Sequence, residues 1–225
     1  MRGIVFIGGD SPPPDAIKKI ARGADLLIAA DSGLAACEGA GLEADWVLGD
    51  MDSLQDPFLL EKYPPARVRR FPHEKDYTDT ELALALARER GCDEIWISGG
   101  GGGRLDHLFA IRALFERDDS PDRWFPGSVE IRCLKEGRAL SAVLEPGSVV
   151  SVFPLVNYGP VTEEWKAESW KAESFGLKWP LDSVVWKCGS YGISNLAVEG
   201  PIEIRAIRGR FMVLMPEFFS NDGKE

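Results

Sequence analysis

The chain has little to offer a metal site built on sulfur or imidazole. It contains four cysteines, Cys37, Cys92, Cys133 and Cys188, with no CxxC pair among them, and two histidines, His73 and His107. That scatter argues against a zinc site and a disulfide framework; reduced, partly buried thiols are expected instead. Long apolar runs are also missing, since no window approaches the ~18 uninterrupted apolar residues of a membrane span. Residues 1–10 form a short apolar run ending in Gly8-Gly9-Asp10, with one Arg and no cleavage-site pattern. A first strand and a cytoplasmic, membrane-free protein are therefore expected. Positive charge is the scarcer sign: 26 Lys and Arg stand against 36 Asp and Glu, a formal net charge of −10. A field of that sign repels a phosphate backbone and argues against nucleic acid as a partner.

What the chain does have is enough apolar residue for a real core. Hydrophobic residues make up 44% of 225 positions and there is no extended low-complexity tract, so one large domain or two modest ones are expected. From residue 3 to about 117, β-branched runs at 3–7, 25–30, 45–48, 67–71 and 94–98 alternate with helical patterns. That alternation predicts a parallel sheet covered by helices, near 13–22, 33–40 and 106–117 and from Thr78. Thr78 and Glu81 have capping-box spacing, Leu82 and Leu86 share a face, and Gly91 supplies a stop. Beyond about residue 128 the helical period disappears. Apolar runs at 149–153, 184–186, 202–207 and 211–215 are separated by Gly, Pro and Asn turns, which reads as an all-β sandwich. The polar stretch 120–127 reads as the linker, giving an α/β domain over 1–127 and a β domain over 128–225. Five residues, WKAES, occur twice in tandem at 165–169 and 170–174, a duplication too short for a solenoid and read as a surface-loop insertion.

Aspartates fall just past the predicted strands. Asp31 follows the second strand, Asp50 and Asp52 the third, and Asp106 lies shortly after the fifth, while Asp76 and Asp79 flank the helix at Thr78. The carboxyl ends of an open parallel sheet line the crevice where ligands bind, so these acids are expected to converge. Converging carboxylates raise one another's pKa unless a cation intervenes, and Mg²⁺ is the usual partner where phosphates share the site. Taken singly, Asp31-Ser32 and Asp79 also fit helix starts and Asp52-Ser53 a turn.

Five consecutive glycines, 99–103, precede Arg104. Backbone N–H groups in such a loop can wrap an anion, with Arg104 as a two-pronged phosphate donor. The loop lacks both the Lys-Ser/Thr ending of a P-loop and the GxGxxG of a dinucleotide fold. Gly8-Gly9-Asp10 is a second place for close approach to a nucleotide, and solvent-facing or capping roles are expected for His73 and His107.

The ordered set Ala30-Asp31-Ser32-Gly33, Gly49-Asp50-Met51-Asp52-Ser53, Asp76-Tyr77-Thr78-Asp79-Thr80-Glu81 and Gly102-Gly103-Arg104-Leu105-Asp106-His107 resembles the thiamine pyrophosphokinase family. The resemblance continues in Gly176-Leu177-Lys178-Trp179-Pro180-Leu181 and Gly192-Ile193-Ser194-Asn195. It implies a Rossmann-like N-terminal nucleotide-binding domain, a C-terminal β-sandwich for thiamine binding and dimerisation, and a homodimer with active sites between subunits. The implied reaction is Mg²⁺-dependent transfer of pyrophosphate from ATP to the hydroxyl of thiamine, giving thiamine diphosphate and AMP. Matching residues put Asp50, Asp52, Asp79 and Asp106 at the metal, with Gly9, Asp31, Ser32, Lys75, Gly102, Gly103 and Arg104 around the nucleotide and its phosphates. Ser194 and Asn195 would face thiamine across the dimer, and Asp79 is the candidate to take the hydroxyl proton. Ile111 and Leu196 stand where the family commonly carries Asn and Glu. Two rival functions keep the same pocket: a pyrophosphokinase for another hydroxymethyl heterocycle such as a pterin, and a non-catalytic sensor of a nucleotide or thiamine diphosphate.

Overall fold

The computed structural model describes residues 1–52, 56–156, 170–187 and 189–216; Ser53, Cys188 and the first WKAES copy lie outside them. The fold is mixed α/β and falls into two compact units, Met1–Ile111 with Arg123–Ser128 and Arg112–Asp122 with Val129–Glu225.

The first unit holds strands β1 (Arg2–Phe6), β2 (Leu26–Ala30), β3 (Trp46–Gly49), β4 (Val68–Arg70), β5 (Glu94–Ser98) and β6 (Arg123–Phe125). They lie in the order β6-β5-β1-β2-β3-β4, and every neighbouring pair is parallel. Strands buried on both faces need near-continuous apolar sequence, and Ile4, Val5, Phe6, Ile28, Ala29, Ile95 and Ile97 are all 0% exposed. Helices α1 (Pro14–Ile20), α2 (Gly33–Gly39), α3 (Asp79–Glu89) and α4 (Leu105–Leu114) connect these strands. α3 begins as its sequence predicts: Thr78 Oγ1 accepts from Glu81 N at 3.2 Å while the Glu81 carboxylate accepts from Thr78 N at 2.9 Å. Such a cap contributes about 1 kcal/mol. Ala83, Leu86 and Ala87 are its buried positions, and Gly91 ends it at φ 90°.

Residues 120–127 are not a linker. Trp124 and Phe125 are buried in β6, Trp124 Nε1 donates to Gly99 O at 2.7 Å, and the Arg123 guanidinium lies 4.3 Å from the Trp96 ring centroid. Pro121, Pro126 and the charges of Asp122 and Arg123 suggest a solvated connector, but two consecutive aromatics outweigh them once β5 offers a partner.

The second unit is built of antiparallel strands: β7 (Val129–Leu134), β8 (Ala139–Val143), β9 (Val149–Leu155), β10 (Lys171–Phe175), β11 (Gly192–Leu196), β12 (Pro201–Arg208) and β13 (Arg210–Pro216). Their ladders run β11-β9-β13-β7 and β10-β12-β8. Both ladders feed one core, where Val150, Val152, Phe211 and Val213 meet Ala172, Ile202 and Ile204 beside Trp186. The run 184–186 forms no strand; Trp186 enters this core from an extended segment and packs edge-on against Phe211 at 5.1 Å. The second WKAES copy is not a loop either. Trp170 is 8% exposed with Nε1 donating to Leu155 O at 2.9 Å, and residues from Lys171 form β10, which buries Ala172. Alternation of Trp170, Ala172 and Ser174 on one side is a strand period hidden by the repeat. No helix of the described residues is long and apolar enough to cross a membrane.

Candidate active site

The carboxyl ends of β2 and β3 meet in an unusual backbone. Asp31 adopts φ 47°, Gly49 φ 140° and Met51 φ 67°. Asp31 N continues the β2–β3 ladder by donating to Leu48 O at 2.9 Å, and its side chain then crosses to the β3 side. A Cβ built on Gly49 would lie 1.7 Å from Asp31 Oδ1, so the carboxylate fills the space that any side chain there would need. Met51 N donates to the same oxygen at 3.4 Å. Left-handed conformations cost about 1–3 kcal/mol outside glycine and gather at functional sites.

Around this junction the structure brings together Asp31, Asp50, Asp52, Asp79 and Lys75. Burial is the main force raising the Asp31 carboxyl, to about 7, assisted by the Asp79 carboxyl within hydrogen-bonding reach and by Asp50. Asp52 N donates to Asp50 Oδ1 at 3.1 Å. That bond and the Asp52 carboxyl hold Asp50 below its usual range, while the Asp50 carboxyl pushes Asp52 up. Lys75 Nζ donates to Asp79 Oδ1 at 2.8 Å, with 13% and 18% of the two side chains exposed, so this is an enclosed pair. One ammonium against four carboxylates leaves negative charge uncompensated, which is the condition a divalent cation relieves. The donor set fits one: Asp50, Asp52 and His73 each offer an atom, all within 4.8 Å of one another.

His73 is the residue that sequence reasoning missed. It is exposed, as expected, but its Nε2 stands 3.6 Å from Asp52 Oδ2. The signal was available, because His73 follows β4 and so obeys the same strand-end rule as the aspartates. Phe71 N donates to Gly49 O at 3.0 Å, which fastens the root of the His73 loop to the end of β3.

The glycine run works differently from the expected phosphate cradle. Gly99 N donates to Phe125 O, Gly100 N to Gly8 O and Gly101 N to Asp10 O, so three of the five N–H groups are already committed to backbone. Their small size serves packing: a Cβ on Gly99 would meet Ile7 O at 2.2 Å, and one on Gly9 would meet Gly101 O at 2.8 Å. Gly102 and Gly103, at φ 59° and 64°, lie outside those pairs. Ser32 precedes α2 without capping it, and its Oγ lies where a Cβ on Gly8 would fall, 2.2 Å away. Arg104 turns both prongs on Asp106, at 3.1 and 2.5 Å, and thereby lowers the Asp106 carboxyl. The groups that set the Asp106 charge state are Arg104 and His107 of its own loop and helix, whereas those around Asp31, Asp50 and Asp52 are one another, Lys75, His73 and Asp79. Ile111 is buried with its Cδ1 against Gly100.

In the second unit, Ser194 is exposed on β11 at φ 59°, its N–H donating to Ser151 Oγ at 3.2 Å. Asn195, expected to face thiamine, is 4% exposed. Its Nδ2 donates to Trp179 O at 2.6 Å and its Oδ1 accepts from Trp179 N at 3.1 Å, so the amide clamps the Trp179 backbone and leaves the indole exposed. A buried amide bonded on both sides to the Trp179 backbone braces that loop.

Residues 17–120 match the family described as thiamin pyrophosphokinase, catalytic domain. A thiamine pyrophosphokinase of Bacillus subtilis is 40% identical over 94 residues, a match that spans 40% of this chain and 44% of that protein. The fold resembles crystal structures of a thiamin pyrophosphokinase family protein from Enterococcus faecalis (TM-score 0.73, 23% identity, 96% of this chain and 99% of that one) and of the B. subtilis thiamine pyrophosphokinase (0.72, 24%, 95% and 98%). Asp31, Asp50, Asp52, Lys75, Asp79 and Asp106 all lie inside the matched segment.

Proposed function

We propose that the chain is a thiamine pyrophosphokinase that moves the pyrophosphoryl group of ATP to the thiamine hydroxyl, releasing AMP. The observation that carries this reading is the meeting of Asp31, Asp50 and Asp52, at neighbouring strand ends, with the Lys75–Asp79 pair at the start of α3. In this reading the parallel unit is a Rossmann-like nucleotide-binding domain over 1–127, and the antiparallel ladders over 128–225 are a β-sandwich for thiamine binding and dimerisation. The protein acts as a cytoplasmic homodimer.

Asp50 and Asp52 would hold Mg²⁺, and Asp79 and Asp106 would complete the acidic surround. A cation held there would supply charge neutralisation to the phosphate oxygens. Lys75 contributes an ammonium near the same oxygens, anchored by Asp79. Arg104 exchanges Asp106 for phosphate, a trade of one two-pronged anion for another. Gly102 and Gly103 give their N–H groups to the phosphates, and Gly9 and Ser32 border the nucleotide. Asp79, its Oδ1 held by Lys75, accepts the hydroxyl proton. Ser194 faces thiamine, and Asn195 acts by holding Trp179, whose exposed indole offers a π-face to the cationic ring. Alignment and electrostatics supply most of the acceleration in such transfers.

The test is AMP formation from ATP with thiamine and with a pterin alcohol as alternative acceptors. Thiamine-dependent AMP release supports the reading; release only with the pterin, or nucleotide binding without release, replaces it with one of the rivals.

A further inference from the structure

We propose that His73 is a third protein ligand of the divalent cation beside Asp50 and Asp52, and that its nitrogen shifts the site's preference from Mg²⁺ toward later first-row transition ions such as Co²⁺ and Ni²⁺. This rests on the proposed cation role of the two aspartates.

The position of His73 is set by its surroundings. Its loop is fastened to the end of β3 by the Phe71–Gly49 bond on one side, and two residues later the enclosed Lys75–Asp79 pair anchors the other. Between these points the imidazole lies 3.6 Å from Asp52 Oδ2, beyond a hydrogen bond, so the two groups face each other without closing on each other. Ligands ~2.1 Å from an octahedral ion stand ~3–4.2 Å apart. The three donor atoms already lie mutually within 4.8 Å, so closing on one ion asks for side-chain movements of about 1–2 Å at most.

The nitrogen matters because the ions differ in chemistry. Mg²⁺ prefers oxygen and keeps its waters, whereas imidazole favours ions further along the transition series. Two carboxylates and one imidazole leave the remaining positions for water and phosphate oxygens. Such a site accepts Mg²⁺ through Asp50 and Asp52 and gains affinity from His73 only with the softer ions.

The experiment is titration of the metal-free full chain with Co²⁺, followed by visible absorption, and with Mg²⁺, followed by calorimetry, for the wild type, His73→Ala and the double variant Asp50→Asn/Asp52→Asn. Circular dichroism confirms folding, which an exposed His73 does not control. The expected result is a loss of about tenfold or more in Co²⁺ affinity for His73→Ala with an altered Co²⁺ spectrum, while Mg²⁺ affinity stays within about twofold. If His73→Ala binds both ions like the wild type while the double variant binds neither, the nitrogen is not a ligand and the aspartate reading stands. An equal loss for both ions overturns the selectivity. Absence of binding by the wild type overturns the aspartate reading as well.

Discussion

Asp31 and Gly49 share one volume: the Asp31 carboxylate occupies the place where a side chain on Gly49 would begin, 1.7 Å from Oδ1. A site that concentrates acids has to make room for them in the backbone, and here the room is a missing Cβ at φ 140°. Gly49→Ala therefore strains the backbone and evicts Asp31 together. It is expected to cost at least ~1–3 kcal/mol in chemical denaturation and to remove most activity. A variant of unchanged stability and turnover would mean that the junction relaxes freely.

Asp31 also links stability to pH. Its carboxyl is raised in the fold to about 7 from an ordinary value of 3.8, first by burial and then by Asp79. A raised folded value means the contribution is fully present below the unfolded pKa and is lost as pH rises toward 7. Metal-free protein is therefore expected to lose on the order of 1 kcal/mol between pH 4 and pH 8 through this half-exposed group. Asn tolerates φ 47°, so Asp31→Asn keeps the backbone and flattens that dependence. Melting temperatures at both pH values check this, and a wild-type curve matching that of the variant contradicts it.

Lys75 and Asp79 form the most enclosed ion pair at the site, and removing one partner leaves the other charge stranded. Lys75→Met is expected to destabilise the chain by about 2–3 kcal/mol, and Lys75→Met with Asp79→Asn by less than the sum. A double-mutant cycle measures the coupling; additive losses would mean that the pair is not closed in solution.

Ser98, fully buried at the end of β5, has no hydrogen-bond partner for its Oγ among the described residues. Ser98→Ala removes an unpaired polar atom and is expected to leave stability unchanged or raise it by about 1 kcal/mol. A loss of that size in denaturant unfolding would show that the hydroxyl is satisfied.

Much of the first unit was legible from the chain. The β–α alternation located β1 to β5 and four helices, because strands buried on both faces need apolar runs and α3 carries its own cap and stop. The strand-end rule then located Asp31, Asp50 and Asp52. What escaped depends on partners that sequence does not display. Trp124 and Phe125 become strand only beside β5, and the second WKAES copy becomes β10 only beside β12. The glycine run invites an anion-binding reading, yet its first three N–H groups go to Phe125, Gly8 and Asp10. Asn195 looks like a ligand contact and serves as a clamp on Trp179. His73 was passed over because a lone exposed histidine carries no pattern until the loop root at Phe71 sets it beside Asp52.

The proposed chemistry needs a cation held by Asp50 and Asp52 against the phosphates of a nucleotide. The most direct measurement is a crystal structure with Mn²⁺, a non-hydrolysable ATP analogue and thiamine, using anomalous scattering to locate the ion. The expected result is a peak about 2.1–2.3 Å from carboxylate oxygens of both aspartates, with phosphate oxygens completing the coordination. A triphosphate seated elsewhere, or an ion touching neither Asp50 nor Asp52, would contradict it.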